Sequence, residues 1–362
     1  MPGREPLVTV GVATYNGAKF LARTLSSILN GSYSNIELLM VDDGSSDDSV
    51  AIAKRVNDSR IRVISNSVNG GLVKTRQQIM EETRGTYLAW LDQDDIAYPN
   101  RISAQIAFLE RNEKVGVCGS WTMHRVHEPS GKEWLLKSRA SLSLHSEIRA
   151  SMPFNCPISF NTATMRMSAF RNGDLRFREE YGNTLDYDMW SRAADVMELR
   201  NIKEFLGEYR VHPNQTSRGS AADHMLEAAW SVQREVLKRN LGVQINADAD
   251  AHHIHRRMTL SARSLVSESD ALEVGTWLRF LADRNYTIGA YQERAFDNAV
   301  SRQWVLCLLH VSRNIGFTKA IKLAGASRSI TGFGTNNLSN GVRSFMQNQG
   351  SVMVQKLING RL

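Results

Sequence analysis

The stretch that decides the fold is TYLAWLDQDD, residues 86–95. Apolar and strand-favouring residues at 87–91 run directly into three carboxylates, Asp92, Asp94 and Asp95. One interpretation is a turn, because Asp favours turns. The other is a site for a hard divalent cation, because carboxylates delivered at the end of a strand can bind such an ion. This stretch alone leaves both interpretations open.

Length and composition indicate an ordinary globular protein with two domains. The chain has 362 residues, 42% hydrophobic and 22% charged, and one core rarely serves more than about 300 residues. It contains no run of about 18 apolar residues, so we expect no transmembrane helix. The start, MPGREPLVTV, lacks the apolar segment of a signal peptide. Three scattered cysteines, Cys118, Cys156 and Cys307, are expected to be reduced in a cytoplasmic protein.

Strand and helix patterns alternate through the first hundred residues. Strands are predicted at residues 7–13, 36–41, 61–65 and 86–91, with helices between them. The alternation predicts the α/β class, a Rossmann-like, mostly parallel sheet with helices on both faces. Ligands of such sheets bind at the carboxyl ends of the strands. The polar clusters of this region follow those ends.

Beyond about residue 217 the pattern becomes helical. Helical periodicity covers residues 220–241, roughly 248–266, 269–283 and 290–312. We therefore predict an α/β domain at residues 1–217 and an α-helical C-terminal domain at residues 218–362.

The C-terminal end of the chain is basic. Residues 299–362 contain no Asp or Glu, and their Lys and Arg residues are Arg302, Arg313, Lys319, Lys322, Arg328, Arg343, Lys356 and Arg361. Such a tail can face an anionic membrane surface or an acidic glycan, or it can be a solvated surface. Nucleic acid is not expected as a partner, because the tail has few aromatics to stack on bases. The apolar segment 299–309 is either a membrane-surface helix or a buried helix.

Six motifs occur in order: VGVATYNG, VDDGSSDDS, NGGLVKTRQ, LDQDD, LDYDMW and YRVHPNQTS. Together they resemble the inverting nucleotide-sugar glycosyltransferases of the GT-A fold, glycosyltransferase family two, over residues 6–217. The resemblance implies transfer of a sugar from a nucleoside diphosphate sugar, UDP- or dTDP-linked, with Mn²⁺ or Mg²⁺ as cofactor. The implied acceptor is a hydroxyl of a surface polysaccharide or a lipid-linked oligosaccharide. A peripheral position at the inner face of the membrane would suit such an acceptor.

The resemblance also assigns the nucleotide-sugar contacts. They are Ala13, Thr14, Tyr15, Asn16, Asp42, Asp43, Arg76, Asp92 and Gln93. An aromatic such as Tyr15 can stack on a base, a buried carboxylate can accept a ring N–H of uracil or thymine, and Arg76 can bind a diphosphate. The plain alternatives are turn residues, a helix cap and a solvated helix arginine.

Metal and catalytic roles follow by the same resemblance. Asp94 and the late His212 are the implied metal ligands, and carboxylate with imidazole suits manganese or magnesium. Asp186 is the implied general base, which takes the proton of the acceptor hydroxyl. Asp188 is the alternative base. Trp190 is either a floor for the acceptor sugar or a core residue.

Three other interpretations compete with this one. A nucleotidyltransferase of related topology would need a Gly-rich triphosphate loop, and VATYNGA at residues 12–18 is not one. A catalytically inactive sugar-nucleotide-binding protein would not need Asp94, Asp186 and His212 together. The histidines at 252, 253 and 255 can be a metal cluster, although a solvated helix face is favoured.

Overall fold

The computed structural model describes residues 5–127, 133–138, 142–212, 215, 221–245, 250–260 and 264–325. The chain folds into two compact units. The described residues of 1–145 and 158–225 form the first, and those of 146–157 and 226–349 form the second. The sequence predicted a single boundary near residue 217. In the structure the division follows residue 225, and a segment from the middle of the chain joins the helical unit.

The strands are β1 (Val8–Thr14), β2 (Ile36–Asp42), β3 (Ile61–Ser65), β4 (Tyr87–Trp90), β5 (Ile96–Ala97), β6 (Val115–His127), β7 (Glu133–Ser138), β8 (Thr164–Arg166) and β9 (Glu198–Val211). The helices are α1 (Ala18–Leu29), α2 (Ser49–Arg55), α3 (Leu72–Glu82), α4 (Arg101–Arg111), α5 (His145–Ser151), α6 (Met167–Asn172), α7 (Leu185–Ala193), α8 (Ala221–Leu241), α9 (Asp250–Leu260), α10 (Glu268–Ile288), α11 (Glu293–Ile315) and α12 (Phe317–Gly325). Short 3₁₀ helices occupy Phe160–Thr162 and Glu179–Thr184.

The strands form one mixed sheet in the order β3-β2-β1-β4-β8-β6-β9-β5, with β7 paired to β6. The four strands β3, β2, β1 and β4 are parallel, which confirms the predicted α/β class. Strand β8 is antiparallel to both β4 and β6, and β9 is parallel to β6. Strands β1, β2, β4 and β9 therefore run the same way, and their carboxyl ends share one edge of the sheet.

The central strands are apolar because both of their faces are covered. Every residue of β2 and of β4 is buried, which is the burial that a parallel sheet requires. Gly11 in β1 is needed where the sheet meets α3. A Cβ at Gly11 would lie 2.5 Å from the Ile79 side chain, so a larger residue there would force the helix away.

Strand β9 is longer than the sequence predicted. The pattern indicated only residues 208–211, whereas β9 begins at Glu198 and pairs with β6 along its length, with shifts of register. Its middle, Lys203 and Glu204, is exposed. These charges break the apolar alternation that marks a strand. They lie at a shift of register, and the flanking residues Ile202 and Phe205 pair with β6 and hold the backbone extended.

The helical unit has its own core, built from α8–α12 and from residues 150 and 154 of the inserted segment. Segment 299–309 lies within α11, where Val300, Trp304 and Cys307 are buried in that core. Of its two predicted roles, the structure therefore shows the buried helix. The basic residues after 325 lie outside the described residues.

His255 differs from its predicted solvated environment. Its ring is fully buried, with Nε2 at 3.0 Å from the Pro153 carbonyl oxygen. The Nε1–H of Trp277 donates to Nδ1 over 2.9 Å. This histidine is therefore a structural group, and among the described residues no set of three His, Cys, Asp or Glu side chains is placed to hold a metal ion.

Candidate active site

The turn after β4 brings two sequence-predicted metal ligands together. Asp94 Oδ2 and His212 Nε2 lie 2.9 Å apart, although the residues are separated by more than a hundred positions in the chain. His212 follows β9 and Asp94 follows β4, so the shared direction of these strands explains the meeting. The His212 ring also lies 4.7 Å from the Phe20 ring of α1, and its backbone N–H donates to Gln215 Oε1.

Asp95 fixes this turn against the rest of the sheet. Its carboxylate is 0% exposed and accepts the backbone N–H of Arg210 at 2.9 Å and the Asn161 side-chain amide at 2.6 Å. The Thr24 hydroxyl donates to the Asp95 carbonyl oxygen. Burial raises the pKa of Asp95 well above its usual value, and the neighbouring carboxylates raise it further. Asp95 thus ties the β4 turn to β9, two residues before His212.

Arg76 forms an ion pair with Asp92 and a cation–π contact with Phe160. Its Nη2 is 2.7 Å from Asp92 Oδ1, and its guanidinium carbon stands 3.7 Å from the centre of the Phe160 ring. The Nε of Arg76 is buried, and no described residue forms a hydrogen bond with it. The sequence predicted that Arg76 binds the diphosphate, whereas in the structure one of its guanidinium nitrogens, Nη2, binds Asp92. Burial raises the pKa of Asp92, while Arg76 opposes that rise.

Two acids predicted at the nucleotide differ in what they bind. Asp43 accepts the backbone N–H groups of Gly70 and Gly71, both at 2.8 Å. Asp42 accepts Ser45 N–H and the Ser65 hydroxyl through Oδ2 only. Its Oδ1 is buried and has no hydrogen-bond partner among the described residues. A buried carboxylate oxygen without a donor needs an explanation, and a ligand N–H is one.

The neighbouring strand end offers a second open acceptor. Thr14 pairs directly with Asp42 in the sheet, and its buried Oγ1 also has no hydrogen-bond partner in the part of the chain that the structure describes. Ala13, which precedes it, is half-buried. Two adjacent buried oxygens at neighbouring strand ends can together recognise one flat polar edge.

The YNG turn is held by the side chain of Gln93. Tyr15 N–H donates to Gln93 Oε1 at 3.0 Å, and Gln93 Nε2 donates to the Tyr15 carbonyl oxygen at 3.2 Å. Tyr15 is 48% exposed. Asn16 has a φ of 48°, in the left-handed region that Asn tolerates, and its Oδ1 accepts Ser46 N–H. The turn therefore presents an aromatic ring on a fixed backbone.

Asp186 and Asp188 lie in the first turn of α7 in contrasting surroundings. Asp188 is buried and paired with both Arg178 and Arg192. Asp186 is half-buried, and its Oδ1 accepts the N–H of Tyr187 at 2.8 Å. Burial raises the pKa of Asp186, and the positive charge of Arg76 opposes this. The positive charge of Arg76 therefore acts on the pKa of Asp186 as well as on that of Asp92.

Trp190 has no exposed surface. Its ring is 0% exposed and lies 6.1 Å from the Phe160 ring and 6.3 Å from the Phe170 ring. Of its two predicted roles, the structure favours core packing, because a fully covered ring cannot floor a sugar pocket.

Sequence patterns missed Arg101, a buried polar residue behind the site. Its Nη2 donates to the Trp90 carbonyl oxygen at 2.6 Å, and its Nε donates to Gln105 Oε1. Burial lowers the pKa of Arg101 to about 10, and the charges of Asp95 and Asp92 oppose that. Nothing local marks Arg101, because its partners come from distant elements.

The chain also resembles known proteins. The family described as "Glycosyl transferase family 2" matches residues 9–173. An uncharacterized glycosyltransferase of Haemophilus influenzae is 33% identical over 240 residues, covering 64% of this chain and 73% of that protein. The chain belongs to glycosyl transferase family 2.

One further sequence relative and one solved structure resemble this family 2 glycosyltransferase. The chondroitin synthase of Escherichia coli is 27% identical over 243 residues, which is 67% of this chain and 34% of the synthase. Residues 1–349 of Staphylococcus aureus TarS share the fold, with a TM-score of 0.53 at 17% identity, over 94% of this chain and 92% of that one. The likeness to TarS confirms the GT-A-like fold and the helical C-terminal region.

The described helices of this glycosyltransferase do not match what a bilayer requires. None combines the length and the apolar character needed to span a membrane. Cys118 and Cys307 are buried free thiols.

Proposed function

We propose that this family 2 glycosyltransferase is metal-dependent and inverting. It transfers one sugar from a nucleoside diphosphate sugar to a hydroxyl of a surface polysaccharide or a lipid-linked oligosaccharide. The observation that carries the proposal is the meeting of Asp94 and His212 at 2.9 Å. Asp92, two residues before Asp94, pairs with Arg76, and the charge of Arg76 also acts on Asp186.

The pair Asp94 and His212 fits a divalent cation that a substrate helps to bind. One carboxylate oxygen and one imidazole nitrogen converge, as Mn²⁺ or Mg²⁺ would need. Magnesium sites commonly use one or two protein carboxylates and take further ligands from substrate phosphates. A bound cation would neutralise charge on the departing diphosphate. The chain's own part is to hold Asp94 and His212 in place through Asp95 and Gln215.

Asp186 is the proposed general base. As the acceptor hydroxyl oxygen forms its bond to the anomeric carbon, its proton passes to the Asp186 carboxylate. The bond from that carbon to the phosphate oxygen breaks, and its electron pair leaves with the nucleoside diphosphate. Attack opposite the leaving group inverts the anomeric centre. Asp188 is already paired with two arginines, which supports Asp186 for this role.

Asp42 is the proposed reader of the nucleobase, beside Thr14. A free, buried carboxylate oxygen suits the ring N–H of uracil or thymine, so the donor is UDP- or dTDP-linked. Tyr15 supplies an exposed ring for stacking. Asp43 instead fastens the loop before α3 by accepting the amides of Gly70 and Gly71. TarS, which has this fold, has been solved with UDP-GlcNAc.

A growing glycan or a lipid-linked glycan is the proposed acceptor. Support comes from the likeness to a chondroitin synthase and from the basic residues of the C-terminal region. A cytoplasmic enzyme held at the inner, anionic face of a membrane would meet such an acceptor. The C-terminal Lys and Arg residues are the proposed contact.

Calorimetry with Mn²⁺ and a panel of UDP, dTDP and GDP tests the proposal. UDP or dTDP should bind best, and Asp94→Ala should weaken the metal-dependent part of the affinity about 10- to 100-fold. Asp48→Ala is the matched control, because Asp48 is an exposed aspartate near the nucleotide end. Unchanged affinity in Asp94→Ala would remove Asp94 from the metal site. NMR of the glycosidic product then reports whether the anomeric configuration has inverted.

A further inference from the structure

Arg210 is a buried cation beside the proposed metal ligands. It lies on β9, two residues before His212, and is 1% exposed. None of its three side-chain nitrogens has a hydrogen-bond partner in the part of the chain that the structure describes. Burying a guanidinium without acceptors is costly. Such a group is retained in a stable fold only if its charge is offset by something else.

The surroundings of Arg210 place its charge next to the acidic turn. Its guanidinium carbon is 5.1 Å from the centre of the Phe20 ring, and the same ring lies 4.7 Å from the His212 ring. Its backbone N–H is bound to Asp95. Burial and the nearby Arg23 lower the pKa of Arg210, whereas Asp95, Asp94 and Glu208 raise it. The guanidinium therefore acts on these acids through space.

The neighbouring ion pairs show why this arrangement is different. Asp92 has Arg76 at 2.7 Å, and Glu208 has Arg125 at 2.7 Å. In each of those pairs the cation donates directly to the acid. Arg210 makes no such bond within the described residues. Its positive charge is therefore not neutralised by a directly bonded carboxylate.

We propose that Arg210 is a positioning residue that makes metal binding depend on the nucleoside diphosphate. A bare divalent cation at Asp94 and His212 meets the repulsive field of Arg210. A cation that carries a nucleoside diphosphate has no net positive charge, so this repulsion disappears. The same fixed charge favours the diphosphate as negative charge develops on it during bond breaking. This inference rests on the proposed function, and in particular on the metal site.

The test measures Mn²⁺ affinity by calorimetry, with and without saturating UDP, on the full chain. Arg210→Met and Arg210→Gln both remove the charge, and Arg210→Lys keeps it. The two neutral variants should bind Mn²⁺ alone about tenfold more tightly. The gain in Mn²⁺ affinity caused by UDP should shrink by the same factor. Arg210→Lys should retain the wild-type gain, and circular dichroism identifies any variant that fails to fold, in which case the other neutral variant decides.

The outcomes separate this inference from the proposed function. If UDP raises the Mn²⁺ affinity of the wild type and the neutral variants behave identically to it, the role of Arg210 is wrong and the metal site stands. If UDP does not raise the Mn²⁺ affinity of the wild type, the metal dependence of the proposed function fails together with this inference. Weaker Mn²⁺ binding in a folded neutral variant would also overturn it, because it would show a supporting bond rather than a repelling charge.

Discussion

Among the described residues, buried side-chain atoms without hydrogen-bond partners are more frequent in the α/β unit than in the helical unit. In the α/β unit, Thr14 Oγ1, Asp42 Oδ1 and the Arg210 guanidinium are buried without hydrogen-bond partners among the described residues. In the helical unit, both ring nitrogens of His255 are bound, and Asp270 forms a capping box with Ser267 while pairing with Arg257. Unsatisfied groups are costly. The helical unit has two such atoms, Ser301 Oγ and Arg302 Nε. The unsatisfied groups near the carboxyl ends of β1, β2 and β9 lie where we propose that the ligand binds, whereas satisfied groups such as His255 have structural roles.

The contrast between ligand-facing and structural groups should be strongest within α7. Asp186→Asn keeps the shape of the side chain and cannot take a proton, so the transfer rate should fall about 10²- to 10⁴-fold. Affinity for UDP with Mn²⁺ should be retained. Single-turnover kinetics measures the rate, and calorimetry measures the binding.

Asp188→Asn is the matched variant two residues away. It leaves two arginines beside a buried neutral group, and breaking such a network costs about 3–5 kcal/mol. Its free energy of unfolding should therefore fall more than that of Asp186→Asn. A normal rate in Asp186→Asn with a lost rate in a folded Asp188→Asn would exchange the two roles.

The buried His255 of the helical unit should make the free energy of unfolding depend on pH. Burial lowers the pKa of His255 from 6.5 to about 4, so the unfolded chain binds the extra proton between these values. Stability from this residue is complete above about pH 6.5 and is lost as the pH falls towards about 4. The loss amounts to about 3 kcal/mol.

Denaturant unfolding of the wild type and of His255→Gln across this pH range measures the difference. The wild type should lose more stability than the variant as the pH falls. Parallel curves would mean that His255 is not buried in its neutral form. His253→Gln is the control, since His253 is a neighbouring histidine on the same helix for which the ring is exposed.

Gly17 provides a milder test of the α/β unit at the nucleotide end. Its φ is −102°, which alanine also adopts, but a Cβ there would lie 2.2 Å from Gln93 Oε1. Gly17→Ala should displace Gln93, loosen the Tyr15 turn and weaken UDP binding several-fold. Gln93→Ala should have a similar effect, and the double variant should be little worse than either single one. Additive losses would show that Gly17 acts through another contact.

The basic C-terminal region should contribute least to transfer itself. A truncation after Gly325, the last residue of α12, keeps the buried helix α11 intact. It removes Arg328, Arg343, Lys356 and Arg361, each contributing on the order of 1 kcal/mol near an anionic surface. Co-sedimentation with anionic vesicles should weaken, most clearly at low salt, while transfer to a soluble acceptor stays unchanged. Equal binding to anionic vesicles before and after truncation would show that the residues beyond Gly325 do not contact the membrane.

The sequence predicted the parts of the site that depend on strand direction. Asp94 and His212 each follow a strand, and the alternating pattern put such ends on one edge. The order of the motifs, together with family resemblance, was enough to pair them. The division of labour between Asp42 and Asp43 was not predictable, because it depends on where the Gly70 and Gly71 amides point.

The buried supports of the site were beyond sequence reasoning. Asp95 belongs to the acidic stretch that follows β4, yet its partners are the Arg210 backbone and Asn161, which are distant in the chain. Arg101 reads as an ordinary helix-starting residue until its bond to the Trp90 carbonyl oxygen is known. Charges at Lys203 and Glu204 concealed most of β9, because its pairing is set by β6 and not by local preference.

The assignment of residues 146–157 to the helical unit constrains how this protein can be divided or rearranged. The chain enters that unit, returns to complete β8, β9 and α7, and enters it again after residue 225. A fragment ending at residue 225 would keep Phe154 and Ala150 without the core that buries them. The helical unit therefore cannot be exchanged between relatives as a terminal cassette. A chimera needs two junctions, one on each side of the inserted segment, in addition to the junction after residue 225, which falls inside α8.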